Sequence, residues 1–287
     1  MKMSEARMKT RHPFIIFFVT LVSTLCWAQS LRGQHFDRII FVVFENTDYT
    51  TALQQPFFHY LSQKGVLFSD MSALAHPSQG NYIALTSGDL NGVKDDSTYD
   101  VNASNIIDLI EKRGLSWKVY AENYPGHCFS GSASHGYVRK HNPFISYLDI
   151  QKSPTRCLNI VNADQFSIDA KNGRLTQYIF YVPNIKNDGH DTGASYADSW
   201  YRNQFGPYLA DSQFMNNTVL VSTFDESKSH FGNHIYTSIV GSNIKPGVYS
   251  RHLNIISLLK MVEDNWQLGS LGRQDLSAPS IDSIWIH

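Results

Sequence analysis

Short runs of apolar residues alternate with helical patterns along most of the chain. The first run, Arg38–Phe44, carries β-branched or aromatic side chains at every position after Arg38. Apolar side chains on both faces are typical of a strand that is covered on both sides of its sheet. Similar runs predict four more strands: Trp117–Ala121, Gln177–Val182, Thr218–Phe224 and Ile235–Val240.

Helical patterns lie between these strands. Ser104 is the predicted N-cap of a helix over 105–113, and Gly114 is the glycine that follows its last turn. Strands and helices in alternation predict an α/β three-layer sandwich, in which a mostly parallel sheet lies between helices. With no internal repeat or linker, residues 31–287 are predicted to form one domain. The helix candidates are 50–63, 79–88, 103–113, 194–211 and 253–264.

The charge of the chain excludes one class of partner. Lysine and arginine total 24 against 25 aspartate and glutamate, which gives a formal net charge of −1. A nucleic-acid-binding protein normally has a strongly basic surface, so we expect no nucleic-acid partner. Apolar residues make up 42% and charged residues 17% of the sequence, proportions that indicate a globular protein.

The N-terminus has the pattern of an export signal. Four basic residues precede the apolar run 14–25, and small residues follow at Ala28 and Ser30. This order predicts a signal peptide over residues 1–30, and therefore a secreted or periplasmic protein. A retained transmembrane anchor is the alternative, but the apolar run is too short to span a bilayer comfortably. After cleavage we expect no stable membrane span.

Cysteine usage agrees with export. Cys26 lies inside the predicted signal, which leaves Cys128 and Cys157 in the mature chain. Two cysteines in an oxidising compartment predict a disulfide rather than a metal-binding pair, with two buried free thiols as the alternative.

Polar residues follow three of the predicted strands at the point where each strand ends. Glu45-Asn46 follows the first strand, 184–191 follows the third, and Asp225-Glu226 follows the fourth. In α/β folds, ligands bind at the carboxyl ends of the strands, so these clusters should converge. Their oxygens suit a hard divalent cation, which would also relieve the repulsion among three carboxylates. The alternative for each pair alone is solvated polar residues at a strand end.

A serine at a turn is the second candidate feature. His76-Pro77-Ser78-Gln79-Gly80 reads as a turn that leads into a helix. Backbone N–H groups and the helix dipole favour an anion at such a junction. The Ser78 hydroxyl needs a base or a metal to become a good nucleophile, and a helix N-cap is its alternative role.

Several histidines have polar neighbours. Asp188-Gly-His190-Asp191 places an imidazole between two carboxylates, an arrangement suited to metal binding or proton transfer. His141 lies in Lys140-His141-Asn142-Pro143, and His234 follows Gly-Asn. A single histidine is more often structural than catalytic, so a structural role is the alternative for His141 and His234.

Taken in order, these motifs resemble one family. The similarity is to the phosphoesterase family of bacterial acid phosphatases and non-haemolytic phospholipases C, a branch of the alkaline phosphatase superfamily. It extends from Phe36 to about Trp266, and each motif is weak alone. The motifs are Glu45-Asn46, His76-Pro77-Ser78-x-x-Asn81-Tyr82, Lys140-His141-Asn142-Pro143, Asp188-x-His190-Asp191, Thr223-Phe224-Asp225-Glu226 and His234 before Val240-Gly241.

The resemblance implies roles for the site residues. Ser78 would be the nucleophile and a ligand of one divalent cation, together with Glu45, Asn46, Asp225 and Glu226. The residues around the phosphoryl group would be His141, Asp188, His190 and His234. Two-metal members of the superfamily differ at the strand-end positions, so one cation is expected, although Asp188, His190 and His234 would be the ligands of a second.

The expected activity is hydrolysis of a phosphate monoester through a phosphoserine, as in a secreted acid phosphatase. Phosphoinositides and other phospholipid head groups are candidate substrates. A phospholipase C that cleaves diesters is the main alternative, disfavoured because the larger phospholipases continue with extra C-terminal domains and this chain stops soon after Trp266. The other alternative, a non-catalytic binding protein, is disfavoured because the site residues are intact.

Overall fold

The computed structural model describes residues 31–229 and 232–286. The predicted signal peptide, residues 1–30, lies outside the described residues. None of the described helices is long and apolar enough to cross a membrane.

One eight-stranded sheet forms the centre of the described chain. The strands are β1 Arg38–Phe44, β2 Val66–Phe68, β3 Met71–Ser72, β4 Trp117–Ala121, β5 Ala133–Ser134, β6 Tyr137–Val138, β7 Ile160–Asn162, β8 Tyr178–Val182, β9 Thr218–Phe224, β10 Thr237–Gly241, β11 Gly247–Tyr249 and β12 Leu253–Asn254. The order in the large sheet is β11-β2-β10-β9-β1-β8-β4-β7, and two pairs of very short strands lie outside it, β12 with β3 and β5 with β6.

Helices flank this sheet, and the described residues contain nine α-helices. The two longest, Ala194–Ala210 and Ile255–Trp266, follow the predicted segments within two residues at each end. The helices are α1 Tyr49–Leu53, α2 Pro56–Lys64, α3 Gln79–Ser87, α4 Ile106–Lys112, α5 Leu148–Gln151, α6 Pro154–Cys157, α7 Asp164–Lys171, α8 Ala194–Ala210 and α9 Ile255–Trp266.

The sheet is mostly parallel, as predicted. Strand β1 pairs in parallel with both β8 and β9, and the β1–β9 register runs from Arg38 opposite Thr218 to Phe44 opposite Phe224. Strand β10 is antiparallel to both of its neighbours. Six of the seven residues of β1 are buried, because both faces of the sheet are covered. The predicted α/β sandwich is therefore confirmed.

The predicted helix over 50–63 is two helices, because a proline interrupts it. Helix α1 ends at Leu53, and Pro56 is the first residue of α2. Proline lacks the N–H that would continue a helix and disfavours helical geometry in the residue before it. At the first position of a new helix neither property is costly.

The N-cap of α4 is Asn105, so the prediction of Ser104 was wrong by one residue. The Asn105 side chain accepts a hydrogen bond from the Ile107 N–H at 3.0 Å, and the Asn105 N–H donates to Asp108 Oδ2 at 2.9 Å. Asn105 and Asp108, the third residue of the helix, together form a capping box. Ser104 instead accepts a bond from Arg273 at 3.1 Å. Gly114 has φ +80° after the last turn, as predicted.

The predicted disulfide between Cys128 and Cys157 is present, and it closes a segment with a sequence separation of 29. Within this segment lie the strands β5 and β6 and the short 3₁₀ turn Arg139–His141. The bond therefore limits the freedom of the segment that carries Lys140 and His141.

We predict that the double substitution Cys128→Ser and Cys157→Ser lowers the free energy of unfolding by about 3–4 kcal/mol, because the unfolded chain regains the entropy of an open loop. Urea denaturation of both proteins measures this difference. Dithiothreitol should destabilise the wild type by a similar amount and leave the variant unchanged. Equal stability of the variant and the oxidised wild type would contradict the prediction.

Candidate active site

The parallel pairing of β1 with β9 brings two polar strand ends side by side. Phe44 lies opposite Phe224, and the Asp225 N–H donates to the Phe44 carbonyl at 2.9 Å. Each strand is followed at once by its acidic pair, so Glu45 comes to lie beside Asp225. The Glu45 N–H in turn donates to the Asp188 carbonyl at 3.0 Å, which attaches the loop after β8. All three polar clusters thus meet at the carboxyl edge of the sheet.

Ser78 lies in the middle of this edge. Its Oγ is 3.0 Å from Glu45 Oε2, 3.1 Å from Glu226 Oε1 and 3.4 Å from Asn46 Oδ1. The residue is 1% exposed, and it directly precedes helix α3. Its side chain makes no capping hydrogen bond to the helix. The hydroxyl is therefore directed to the acidic groups and not to the helix backbone.

The turn before Ser78 is fixed by asparagine side chains. Asn81 Oδ1 accepts hydrogen bonds from the Leu74 and Ala75 N–H groups at 2.9 and 3.0 Å, and Asn81 Nδ2 donates to the Ala75 carbonyl at 2.8 Å. Asn233 Nδ2 donates to the same carbonyl at 3.0 Å. These bonds join helix α3 to the chain ahead of it, so the serine is held in place from both sides.

Like charges are concentrated in the buried cluster. Burial raises the pKa of Glu45 well above its usual value, and the charges of Asp225 and Asp188 raise it further. The pKa of Asp225 is also raised well above its usual value, first by burial and then by the charge of Glu226. Both shifts have one meaning: the site favours added positive charge, whether a proton or a cation.

The acidic cluster has more acceptor oxygens than hydrogen-bond donors. Ser78 has one proton, but three acceptor oxygens surround its Oγ. Asp225 Oδ2 is buried and has no hydrogen-bond partner among the described residues. Carboxylate, amide and hydroxyl oxygens are the ligands that hard divalent cations prefer. The donor set therefore fits a divalent cation.

In the part of the chain that the structure describes, no three His, Cys, Asp or Glu groups are already arranged to hold a metal. A cation among Glu45, Asp225 and Glu226 would therefore need the Asn46 and Ser78 oxygens to complete its set of ligands. Asn46 has φ +28°, in the left-handed region that asparagine tolerates better than most residues. This backbone bend directs its amide toward Glu226 Oε1, 2.8 Å from Nδ2.

His141 is buried between two carboxylates. Its Nδ1 is 2.9 Å from Asp188 Oδ2, and its Nε2 is 3.0 Å from Glu45 Oε1. Nδ1 forms a hydrogen bond with Asp188, while Nε2 lies close to Glu45 and has no hydrogen-bond partner among the described residues. Burial lowers the pKa of His141, against the opposing effect of Asp188.

His190 lies nearer the solvent. Its side chain is 34% exposed, its Nδ1 is 2.8 Å from Asp191 Oδ1, and its ring centroid is 6.0 Å from that of His141. Its Nε2 is 3.5 Å from Lys140 Nζ. Of the two histidines, His190 is the one that a molecule entering from solvent can reach.

His234 has different neighbours. Its Nε2 is 3.0 Å from the Ser69 carbonyl, and its ring stacks on Tyr49 at 4.3 Å. No contact among the described residues joins His234 to Asp188 or His190. A second cation site built from these three residues therefore stays a prediction.

Two residues of the site were not assigned a role from the sequence. His76 Nδ1 contacts Glu226 Oε2, and the Tyr82 hydroxyl donates to Glu45 Oε1 at 2.7 Å. Burial raises the pKa of Tyr82 well above its usual value, so this hydroxyl stays a donor. Both residues belong to the motif His76-Pro77-Ser78-x-x-Asn81-Tyr82, and that membership is the sequence signal that points to them.

Comparison with known proteins gives one family. The sequence profile described as the Phosphoesterase family matches residues 46–269. A probable acid phosphatase of Kluyveromyces lactis is 35% identical over 271 residues, which are 88% of this chain and 64% of that protein. An acid phosphatase of Aspergillus fumigatus is 32% identical, with 89% and 60% covered. The chain thus spans less than two thirds of the length of these fungal relatives.

A bacterial relative is matched over more of its own length. The phosphatidylinositol-3-phosphatase of Mycobacterium tuberculosis is 28% identical, with 87% of this chain and 83% of that protein covered. A solved alkaline phosphatase superfamily protein from Vibrio parahaemolyticus has a TM-score of 0.61 at 15% identity, with 88% and 72% covered. Murine ectonucleotide pyrophosphatase/phosphodiesterase 5 has a TM-score of 0.55 at 12% identity, with 84% and 99% covered. These structures support an alkaline phosphatase-like fold.

We predict that a divalent cation stabilises the folded protein, because it relieves the repulsion among buried carboxylates. At about 100 times its dissociation constant, the gain is about 2.7 kcal/mol. Thermal unfolding of EDTA-treated protein, titrated with Mg²⁺, Ca²⁺ or Mn²⁺, measures the effect. Asp225→Asn should reduce the shift, while Asp211→Asn, in a loop outside the cluster, should retain it. A melting temperature that none of these ions raises would contradict the prediction.

Proposed function

Because the chain belongs to the Phosphoesterase family, we propose that it is a metal-dependent acid phosphatase that hydrolyses phosphate monoesters through a phosphoserine at Ser78. The observation that carries this proposal is the Ser78 hydroxyl, which lies within 3.1 Å of both Glu45 Oε2 and Glu226 Oε1. A hydroxyl becomes a strong nucleophile when neighbouring groups take its proton and stabilise the resulting anion.

Ser78 Oγ attacks phosphorus, and its proton passes to Glu226 Oε1. The other oxygen of Glu226 contacts His76 Nδ1, so an imidazole adjoins the carboxylate that takes the proton. The bond between phosphorus and the leaving oxygen breaks as the Ser78–phosphorus bond forms. Water then attacks the phosphoserine and releases inorganic phosphate and the free hydroxyl of Ser78.

Glu45, Asn46, Asp225 and Glu226 would hold a divalent cation together with Ser78. When bound, such a cation stabilises a serine alkoxide and polarises a phosphate oxygen. The buried and unpartnered Asp225 Oδ2 supports this assignment, as do the raised pKa values of Asp225 and Glu45. Most of the catalysis in phosphoryl transfer comes from such positioning and charge stabilisation.

His190 is the residue that we assign to the leaving group. It is the more exposed of the two site histidines, and Asp191 orients its ring through Nδ1. Its Nε2 can then carry the proton that the departing oxygen needs. His141 has a positioning role in this scheme, since it is buried and Asp188 holds its ring through Nδ1.

The substrate class is a phosphate monoester, and a phosphoinositide head group is one candidate. The relative from Mycobacterium tuberculosis is named for such a substrate, and the fungal relatives are named acid phosphatases. We further propose that the chain is exported through the signal peptide over residues 1–30. The Cys128–Cys157 disulfide supports an oxidising compartment.

We predict that Ser78→Ala removes turnover of p-nitrophenyl phosphate and leaves the fold intact, because one buried hydroxyl is lost without a change in packing. Phosphate release is measured from pH 4 to 9 with and without EDTA, and circular dichroism monitors the fold. Asn81→Ala keeps the Ser78 hydroxyl but removes the hydrogen bonds that fix the turn before it. This variant therefore tests the position of the serine and not the hydroxyl itself.

Four outcomes separate the alternatives. Loss of activity in Ser78→Ala and on chelation supports the proposal. Preference of the wild type for bis(p-nitrophenyl) phosphate or p-nitrophenylphosphorylcholine would instead support a phosphodiesterase. Full activity of a folded Ser78→Ala variant would contradict the assignment of the nucleophile, and a wild type inactive on every ester would favour a non-catalytic binding protein.

A further inference from the structure

A small cavity of about 80 Å³ borders the site on the side of Lys140. Its wall is formed by the polar loop after helix α3 and by the 3₁₀ turn that contains Lys140, with Gln79 between them. Gln79 directly follows the nucleophile and is 2% exposed. Its Oε1 has no hydrogen-bond partner among the described residues. The residues that line the cavity therefore include a lysine and a buried glutamine whose amide oxygen has no hydrogen-bond partner among the described residues.

Asp96 holds Lys140 against the start of helix α3. Its Oδ2 accepts from Lys140 Nζ at 2.8 Å, and its Oδ1 accepts from the Gln79 N–H at 3.0 Å. The Lys140 and Asp96 side chains are 18% and 28% exposed, so this ion pair is partly shielded from solvent. One carboxylate thus fixes the position of a cation relative to the residue that follows Ser78.

A second contact places the same ammonium group on the leaving-group side. Lys140 Nζ is 3.5 Å from His190 Nε2, the atom assigned above to proton transfer. Lys140 is also the immediate neighbour of His141, whose Nε2 is 3.0 Å from Glu45. The ammonium group therefore lies beside the proposed acid, and Asp96 links it to Gln79, the residue after the nucleophile.

We propose that Lys140, positioned by Asp96, binds the non-bridging oxygen that carries the second negative charge of a phosphate monoester, and so makes the site selective for monoesters over diesters. This inference rests on the proposed function and specifies its substrate class. In a diester, that oxygen carries an organic group and no charge. An ammonium ion at this position then loses its charged partner and meets a bulky substituent.

The charge of the substrate determines how large the effect should be. A phosphate monoester loses its second proton near pH 6, while a diester has a single charge throughout. A hydrogen bond between two ions contributes more than one between an ion and a neutral group. The contribution of Lys140 should therefore grow as the pH rises past this value.

The test compares Lys140→Gln with the wild type on p-nitrophenyl phosphate and bis(p-nitrophenyl) phosphate, at about pH 5 and about pH 7.5. We expect kcat/KM for the monoester to fall about 10- to 100-fold at the higher pH, as for loss of a charged hydrogen bond. The value for the diester should change by less than about threefold. Lys140→Arg should restore most of the selectivity, and Asp96→Asn should lose part of it.

Lys118→Gln is the matched control. Lys118 Nζ forms an ion pair with Asp169 at the same distance of 2.8 Å, and its side chain is 22% exposed. This variant loses a comparable ion pair on strand β4 and should keep the wild-type ratio of monoester to diester activity. A ratio of monoester to diester activity that is the same in Lys140→Gln as in the wild type would overturn the proposal, whether or not both activities fall.

A binding measurement separates failure of this proposal from failure of the proposed function. Calorimetric titration with inorganic phosphate at about pH 7.5, with Mg²⁺ added, needs no turnover. We expect the affinity of Lys140→Gln to be at least about tenfold weaker than that of the wild type. Equal affinities would overturn the role of Lys140 even in an active enzyme. A wild type that cleaves no ester but binds phosphate through Lys140 would contradict the proposed function alone.

Discussion

Repulsion among three buried carboxylates is the constraint on which the rest of the site depends. Glu45, Asp225 and Glu226 are each at most 2% exposed, and in a medium of low polarity their mutual repulsion cannot be screened by water. The site counters it with donors from Tyr82 and Asn46. These two donors are neutral, so they leave the negative charge of the cluster in place. A site of this kind is suited to a divalent cation beside a hydroxyl that has to lose its proton.

The fold brings these charges together through the register of two parallel strands. Because β1 and β9 are hydrogen-bonded along their whole length and end opposite each other, the residues that follow them are forced into contact. Buried strands on both sides make this alignment rigid. The groups at the rim are attached differently, since Lys140 and His141 lie in the segment closed by the Cys128–Cys157 disulfide. The sheet therefore holds the acidic residues, and the disulfide-closed segment holds Lys140 at their edge.

Much of the fold and the centre of the site could be predicted from the sequence, because both depend on local pattern. Apolar runs define the central strands, and polar residues directly after them define the acidic pairs. Local pattern did not identify the N-cap of α4, because Ser104 and Asn105 are adjacent and both are suitable N-cap residues. It also could not find the partners of the acidic cluster, because His76 meets Glu226 across 150 positions. The same limit applies to Asp96, which sits in a loop without regular structure, and to His234, whose motif position gave no indication of its bond to the Ser69 carbonyl.

The central claim is that Ser78 attacks phosphorus and water attacks second. The stereochemical course of phosphoryl transfer tests it most directly, measured with an isotopically chiral phosphate monoester and an alcohol as the final acceptor. Each in-line displacement inverts the configuration at phosphorus. Two displacements, one by Ser78 and one by the acceptor, predict overall retention. Net inversion would show a single direct attack on the substrate and would contradict the account.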